Sequence, residues 1–125
     1  MKRSNITKYA VKTYGNNHQI TVAIEELSEL TKELCKYIRY ANNIDNISEE
    51  IADVYIMLEQ LLIIFDNEDK VIEWVEKKIE RLQTRVCDNI YNTLPEEKRQ
   101  ICDLCKDWSL TKDVDCEILS KGGEG

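Results

Sequence analysis

The sequence predicts an all-α fold, a helical bundle of about four helices that a second chain completes. The chain of 125 residues contains only four glycines and one proline. A β-rich fold of that length would need many more of these turn-forming residues, whereas long helices need few. Apolar residues also recur at helical spacing along most of the chain, which favours amphipathic helices over strands.

Two helices are predicted before the first long loop. A short helix spans about residues 5–13 and ends at the turn-forming sequence YGNN. A second helix follows from about residue 17 to residue 41, with apolar residues at the i, i+3, i+4, i+7 spacing of a helix that buries one face. The residues of this apolar stripe are Ile20, Ala23, Ile24, Leu27, Leu30, Leu34 and Ile38.

The third helix is predicted to begin near Ser48, after the loop sequence NNIDN. Serine suits the N-cap, and Glu49 and Glu50 suit a first turn because the N-terminal end of a helix carries partial positive charge. The main apolar stripe consists of Ile51, Val54, Leu58, Leu61, Leu62 and Phe65. Further apolar residues make the second half apolar nearly all round, so it must be buried on several sides. These residues are Ile56, Met57, Ile63 and Ile64.

A fourth helix is predicted over about residues 68–91. Its apolar stripe consists of Val71, Ile72, Val75, Ile79, Leu82 and Val86. We expect residues 1–91 to form one helical domain and residues 92–125 to form a C-terminal extension, with a short helical piece and a flexible tail.

The apolar third helix raises the question of what covers it. Three main helices are too few to bury a helix that is apolar nearly all round. Helices from a second chain would complete the bundle, which predicts a homodimer or homotetramer. The alternative is that the C-terminal segment folds back over the third helix. We expect the oligomer.

The sequence contains two similar acidic motifs, EELSEL at residues 25–30 and EEIADV at residues 49–54. Because a helix advances about 100° per residue, Glu25 and Glu49 lie almost opposite the apolar stripes and face water. The other acids are Glu26 at about 85°, Glu29 at about 145°, Glu50 at about 80° and Asp53 at about 140° from the centres of their stripes. Each motif therefore places one glutamate at the border of the core and a second acid one turn further on.

These four acids form a candidate metal site. If the second and third helices pack antiparallel, the carboxylates of Glu26, Glu29, Glu50 and Asp53 converge. Like charges at short distance raise one another's pKa unless a cation compensates them. Oxygen ligands favour Mg²⁺, or else Mn²⁺, over zinc. The alternative is that both motifs are ordinary solvated helix faces, since glutamate is a good helix former.

The two motifs resemble the ExxE, spacer, ExxD signature of the all-α nucleoside triphosphate pyrophosphatases, which include MazG-like proteins and dimeric dUTPases. The matching positions are Glu26 with Glu29 and Glu50 with Asp53. The preceding sequence YGNNHQITVAIEELSEL also resembles the MazG-like pattern of a glycine turn and a glutamine. The resemblance covers about residues 5–86, and the later sequence KKIERLQTRV is only loosely similar to the basic helix of that family.

This resemblance implies an enzyme that hydrolyses a nucleoside or deoxynucleoside triphosphate to the monophosphate and pyrophosphate, for house-cleaning or control of the nucleotide pool. The four acids would be the catalytic metal ligands for Mg²⁺. The basic candidates for phosphate contact are Lys78, Arg81 and Arg85, for which a solvated helix face is the alternative. A second hypothesis is a non-enzymatic helical module that binds a partner protein, and a third is a degenerate relative that binds nucleotide but turns over slowly.

Charge and hydropathy exclude other classes of function. The formal net charge of -7 argues against nucleic acid as a partner, because binding its phosphates requires clustered lysine and arginine. The longest apolar stretch is broken by Glu59 and Gln60, so no membrane span is expected. The N-terminal sequence lacks the apolar middle of a signal peptide, and the five cysteines are odd in number. We therefore expect a cytoplasmic protein with reduced thiols.

The remaining metal-binding residue types give weaker signals. Cys102 and Cys105 form a CxxC motif, with Cys116 and Cys87 as distant candidates to complete a zinc site. Their spacing is unusual, and cysteines on helix faces are the preferred interpretation. His18, at the start of the second helix, is predicted to lie on the surface.

Overall fold

The computed structural model describes residues 3–97 and 99, and within them all regular secondary structure is helical. Four helices follow one another: α1 (Arg3–Tyr14), α2 (Asn16–Ile38), α3 (Ile44–Phe65) and α4 (Glu68–Thr93). The all-α prediction and the number of helices are therefore confirmed. The short helical piece after residue 99, with Cys102, Cys105 and Cys116, lies outside the described residues.

The chain divides into two compact units, Met1–Ile72 and Glu73–Gly125. The first contains α1, α2, α3 and the start of α4, and the second contains the rest of α4. The division into domains 1–91 and 92–125 stays a prediction. In the first unit, α1, α2 and α3 pack against one another.

A single glycine separates α1 from α2. Gly15 has a φ of 89°, in the region that glycine adopts without strain from a side chain. Its N–H donates to the carbonyl of Val11 at 2.9 Å, and its own carbonyl accepts from the N–H of Gln19 at 3.1 Å. The sequence YGNN therefore turns the chain sharply, as predicted, and α2 begins directly after the glycine.

The connection between α2 and α3 is shorter than the sequence indicates. α3 begins at Ile44 rather than near Ser48, and Asn43 occupies the N-cap position. Ser48 lies inside the helix, where its hydroxyl donates to the carbonyl of Ile44 at 2.8 Å. The prediction of Ser48 as N-cap is therefore wrong. Asp45 stabilises the earlier start because an acid in the first turn complements the partial positive charge of the helix end.

The three helices of the first unit are joined by a small core with buried polar side chains. Its buried apolar residues are Val11, Ala23 and Met57. The buried amide of Gln19 donates from Nε2 to Oε1 of Gln60 at 2.5 Å, which links the start of α2 to the end of α3. Because the start of α2 contacts the end of α3, the two helices are antiparallel. Removing one partner of such a buried pair would cost roughly 1–3 kcal/mol, because the other is left without its hydrogen bond.

The apolar stripe of α3 is only partly covered. Ile51, Leu58 and Phe65 are 52%, 48% and 57% exposed, whereas Met57 and Gln60, on another side of the helix, are buried. On α2, Ala23 is buried but Ile24 and Leu27 are exposed. The helices of the first unit thus pack through the sides that adjoin the predicted stripes, and much of each stripe faces outward. Along α4 no residue is buried.

Candidate metal centre

The antiparallel pairing of α2 and α3 brings three acids together. Glu26 and Glu29 lie one turn apart on α2, and Glu50 lies in the second turn of α3. One carboxylate oxygen from each of the three lies within 4.8 Å of the other two. We call these three residues the acidic cluster. The structure thus brings together three of the four acids of the predicted site.

The exposure of the five glutamates in the two motifs follows the helical wheel. Glu26 and Glu50 are half-buried, while Glu29 is exposed. Glu25 and Glu49, the first glutamates of the two motifs, are exposed as predicted. The cluster therefore has two carboxylates at the helix interface and one at the solvent side.

Asp53, the fourth predicted ligand, lies beside the cluster rather than within the group of three converging oxygens. It is half-buried one turn after Glu50 on α3. Its negative charge raises the pKa of both Glu26 and Glu50, so it belongs to the same electrostatic environment. Its role as a metal ligand stays a prediction.

Burial and mutual repulsion act together on the two half-buried glutamates. Burial is the main cause that raises the pKa of Glu26, followed by the charges of Asp53, Glu29 and Glu50. Burial also raises the pKa of Glu50, followed by the charges of Glu29 and Asp53. Both shifts express the same physical fact: the described residues around Glu26 and Glu50 concentrate negative charge at a helix interface.

The surroundings of one oxygen of Glu50 test whether the acidic cluster fits a cation. Its Oε2 atom is buried and finds no hydrogen-bond donor among the residues that the structure describes. A buried charged oxygen without a partner is costly. The carboxylates of Glu26, Glu29 and Glu50 offer the hard oxygen ligands that Mg²⁺ and Mn²⁺ prefer. The residues present therefore fit a divalent cation.

Glu33 and Asn43 are two residues near the cluster that the sequence did not single out. Glu33 is buried on α2, and its carboxylate accepts hydrogen bonds from Lys36 at 2.5 Å and from Asn43 at 2.7 Å. These bonds, that of Lys36 first, lower the pKa of Glu33 below its ordinary value, although burial opposes the shift. The available signal was spacing, since Glu33 lies one turn beyond Glu29 on the same helix.

The predicted phosphate-contacting residues belong to the other unit. Lys78, Arg81 and Arg85 lie on α4 at i, i+3 and i+7, and all three are exposed. This spacing places them along one side of the helix. Contact with phosphate stays a prediction for each of them.

His18 lies in the first turn of α2 and is exposed, as predicted. Its ring is 5.8 Å from the ring of Tyr14, measured between centroids. Of the cysteines in the described part of the chain, Cys35 is exposed and Cys87 is half-buried. The preferred interpretation of Cys87 as a cysteine on a helix face agrees with its position on α4.

Comparison with known protein families, with curated proteins and with solved structures found no match to this chain. Within the described residues, none of the helices combines the length and apolar character needed to cross a bilayer.

The raised pKa values of Glu26 and Glu50 predict how stability depends on pH without metal. The folded state holds protons above the ordinary value of 4.5 that the unfolded state has lost. The free energy of unfolding should therefore rise as pH falls from neutral towards that value. The pKa of Glu33 is lowered, so Glu33 has the opposite effect. The stability that its charged form contributes is lost as pH falls below the ordinary value and through the lowered pKa. Thermal unfolding across this pH range, in chelator, measures the effect.

The control for this pH dependence is the double variant Glu26→Gln with Glu50→Gln. It removes both acids with raised pKa, so the rise in melting temperature between neutral pH and about pH 5 should become smaller. An unchanged pH profile in the double variant would show that the two carboxylates are not strained by their surroundings.

Proposed function

We propose that this protein is an Mg²⁺-dependent nucleoside triphosphate pyrophosphohydrolase of the all-α, MazG-like type. The observation that carries the proposal is the acidic cluster, whose three carboxylate oxygens lie within 4.8 Å of one another. The resemblance of the EELSEL and EEIADV motifs to the signature of that superfamily gives the same assignment from the sequence. Mn²⁺ is the alternative cation.

The proposed substrate is a nucleoside or deoxynucleoside triphosphate, cleaved to the monophosphate and pyrophosphate. Its triphosphate would approach a negatively charged protein, so a cation is needed between the two. Mg²⁺, when bound, neutralises charge on the phosphates and lowers the pKa of a bound water. The chain itself supplies the oxygen ligands from α2 and α3 and holds them in place between two packed helices.

We assign Glu26, Glu29 and Glu50 as metal ligands, with Asp53 as the fourth. Glu26 and Glu50 are held at the helix interface, where half-burial limits their freedom, whereas Glu29 is open to solvent. Lys78, Arg81 and Arg85 are proposed to contact phosphate. A divalent cation held by these carboxylates would also be able to bind substrate oxygens, because Mg²⁺ can take further oxygen ligands.

The same proposal includes a homodimer or homotetramer. Ile51, Leu58 and Phe65 form a stripe on α3 that is about half exposed, and Ile24 and Leu27 add exposed apolar surface on α2. Exposed apolar surface of this kind is typical of an interface. A second copy of the chain would bury both stripes in a joint helical bundle.

A non-enzymatic helical interaction module is the second candidate, and the exposed stripe on α3 is the observation that favours it. In that case the stripe would bind a partner protein and the acids would be solvated helix faces. The close approach of the carboxylates of Glu26, Glu29 and Glu50 supports the enzyme, because an interaction module would not require it.

The test is pyrophosphate release from a panel of canonical and modified nucleoside and deoxynucleoside triphosphates, with Mg²⁺ and with chelator. Metal-dependent release from at least one member is expected, and the preferred member names the substrate. No release from any member, with folded protein and metal present, would favour the interaction module instead.

A further inference from the structure

Glu33 is the most deeply buried acidic side chain that the structure describes, with only 4% of its surface exposed. Both of its carboxylate oxygens are occupied. Oε1 accepts a hydrogen bond from Nζ of Lys36 at 2.5 Å, and Oε2 accepts one from Nδ2 of Asn43 at 2.7 Å. This distinguishes Glu33 from Glu50, whose Oε2 has no donor among the described residues. Glu33 is thus a structural acid and not a further ligand of the cluster.

Asn43 is used in an unusual way at the start of α3. An asparagine at the N-cap ordinarily accepts a hydrogen bond from an N–H in the first turn of its own helix. Asn43 makes no such bond. Its amide nitrogen instead donates back to α2, to both the carboxylate and the backbone carbonyl of Glu33. The opposite amide orientation would place Oδ1 against two acceptors, so the contact with Glu33 determines which way the amide points.

This contact lies close to the acidic cluster along both helices. Glu29 is one turn before Glu33 on α2, and Glu50 is about two turns after Asn43 on α3. At the far end of the pair, Gln19 of α2 binds Gln60 of α3. The two contacts hold α2 and α3 on either side of the cluster, and the one at Glu33 is the nearer.

We propose that Glu33 is a positioning residue for the acidic cluster: by binding Asn43, it fixes the start of α3 against α2 and so sets the separation of Glu50 from Glu26 and Glu29. The inference rests on the proposed function of the cluster as a metal site. It assigns to a hydrogen bond between two helices a purpose beyond stability, since a displacement at the start of α3 would displace Glu50 with it.

Glu33 also acts on the cluster through its negative charge. The experiment must separate this effect from the effect of its contact with Asn43. The charge of Glu33 acts on Glu50, but the charge of Glu49 acts on Glu50 more strongly. Glu49 is exposed and lies on α3 itself, so it makes no link to α2. Glu49→Gln is therefore a control that removes a larger electrostatic effect and leaves the helix contact intact.

The experiment is a titration of the full chain with Mn²⁺, followed by electron paramagnetic resonance of the free ion. Glu33→Leu and Asn43→Ala are expected to weaken Mn²⁺ binding about tenfold, at the lower end of the loss seen when residues that orient metal ligands are removed. Glu33→Gln is expected to retain most of the affinity, because its side-chain oxygen can still accept from Asn43. Glu49→Gln should lose less affinity than Glu33→Leu.

Three results would overturn the positioning role. One is Mn²⁺ binding that Glu26→Gln abolishes but that Glu33→Leu and Asn43→Ala leave unchanged. Another is a loss in Glu33→Gln and Glu49→Gln as large as in Glu33→Leu, which would make charge the cause. A third is Mn²⁺ binding that Glu26→Gln does not weaken. Of the three results, only this one would also overturn the metal site.

Hydrogen exchange without metal gives an independent measurement in the same variants. If Glu33 holds the start of α3, amides in residues 47–50 should exchange faster in Glu33→Leu and Asn43→Ala. Amides near Gln19 and Gln60 should keep their protection, because their own contact is intact. Equal acceleration along all of α2 and α3 would indicate loss of global stability, and the specific positioning role would then be wrong.

Discussion

Glu50→Gln is expected to abolish Mg²⁺-dependent pyrophosphate release while the fold is kept. Glutamine has nearly the shape of glutamate but lacks its charge, so the variant removes one of the three converging carboxylates that we propose as metal ligands. Losing a residue that only orients a metal ligand typically costs 10–100-fold in metal affinity or activity. Losing the ligand itself should therefore reduce turnover by about 100-fold or more. The measurement is the rate of pyrophosphate release at saturating Mg²⁺.

Thermal unfolding distinguishes this loss of function from a loss of structure. The surroundings of Glu50 raise its pKa, which means that its charged form is unfavourable in the folded state. Without metal at neutral pH, Glu50→Gln should unfold at the same temperature as the wild type or at a higher one. The stabilisation that a ligand at 100 times its dissociation constant provides, about 2.7 kcal/mol, should be present in the wild type and lost in the variant.

The matched control is Glu49→Gln. It removes the same charge from the adjacent residue of the same helix, but Glu49 is exposed and lies outside the acidic cluster. Its turnover and its response to Mg²⁺ should stay close to those of the wild type. Glu25→Gln is the equivalent control for Glu26→Gln on α2. Wild-type activity in Glu50→Gln would contradict the assignment of the cluster.

The acidic cluster was predictable from sequence because it depends on local helix geometry. The spacing within each motif fixes which acids share a side of a helix, and half-burial of Glu26 and Glu50 with exposure of Glu25 and Glu49 follows from it. Convergence across α2 and α3 additionally required that the two helices be antiparallel, which a short connection between neighbouring helices favours. Each step uses only the regular geometry of the helix.

The start of α3 and the role of Glu33 were not predictable in this way. NNIDN is a loop-forming sequence by its composition, yet α3 begins within it, at Ile44. The side chain of Asn43 binds Glu33, ten residues away, instead of capping its own helix. A contact of this kind depends on how two helices pack, and no pattern within either helix specifies it. The buried pair of Gln19 and Gln60, 41 residues apart, has the same origin.

The apolar stripe of α3 shows where the described residues fall short of a complete core. The sequence predicts that this helix is buried on several sides. The first unit covers the side that carries Met57 and Gln60, while the stripe of Ile51, Leu58 and Phe65 stays about half exposed. Fully burying a leucine or phenylalanine side chain is worth roughly 1.5–3 kcal/mol, so a considerable part of that gain is still available to a second copy of the chain.

Leu58→Glu is therefore expected to make the protein monomeric, if the proposed oligomer forms through this stripe. Leu58 lies in the middle of the exposed stripe, at 48% exposure, and a charge there would have to be buried without a partner in a joint bundle. Light scattering after gel filtration measures the effect. We expect the wild-type mass to be two or four times that of one chain and the mass of the variant to equal one chain.

The control for this prediction is Thr13→Glu, which adds the same charge at an exposed polar position of α1, a helix that carries none of the named interface residues. Thr13 lies about 160° around the helix from the buried Val11, so its side chain points away from the packed face. The oligomer should persist in that variant. A wild-type protein that is monomeric at all concentrations would contradict the interface, and the cover for α3 would then have to come from the same chain. Because the acidic cluster lies between α2 and α3 of one chain, Leu58→Glu should retain Mn²⁺ binding even as a monomer, which separates assembly from metal binding.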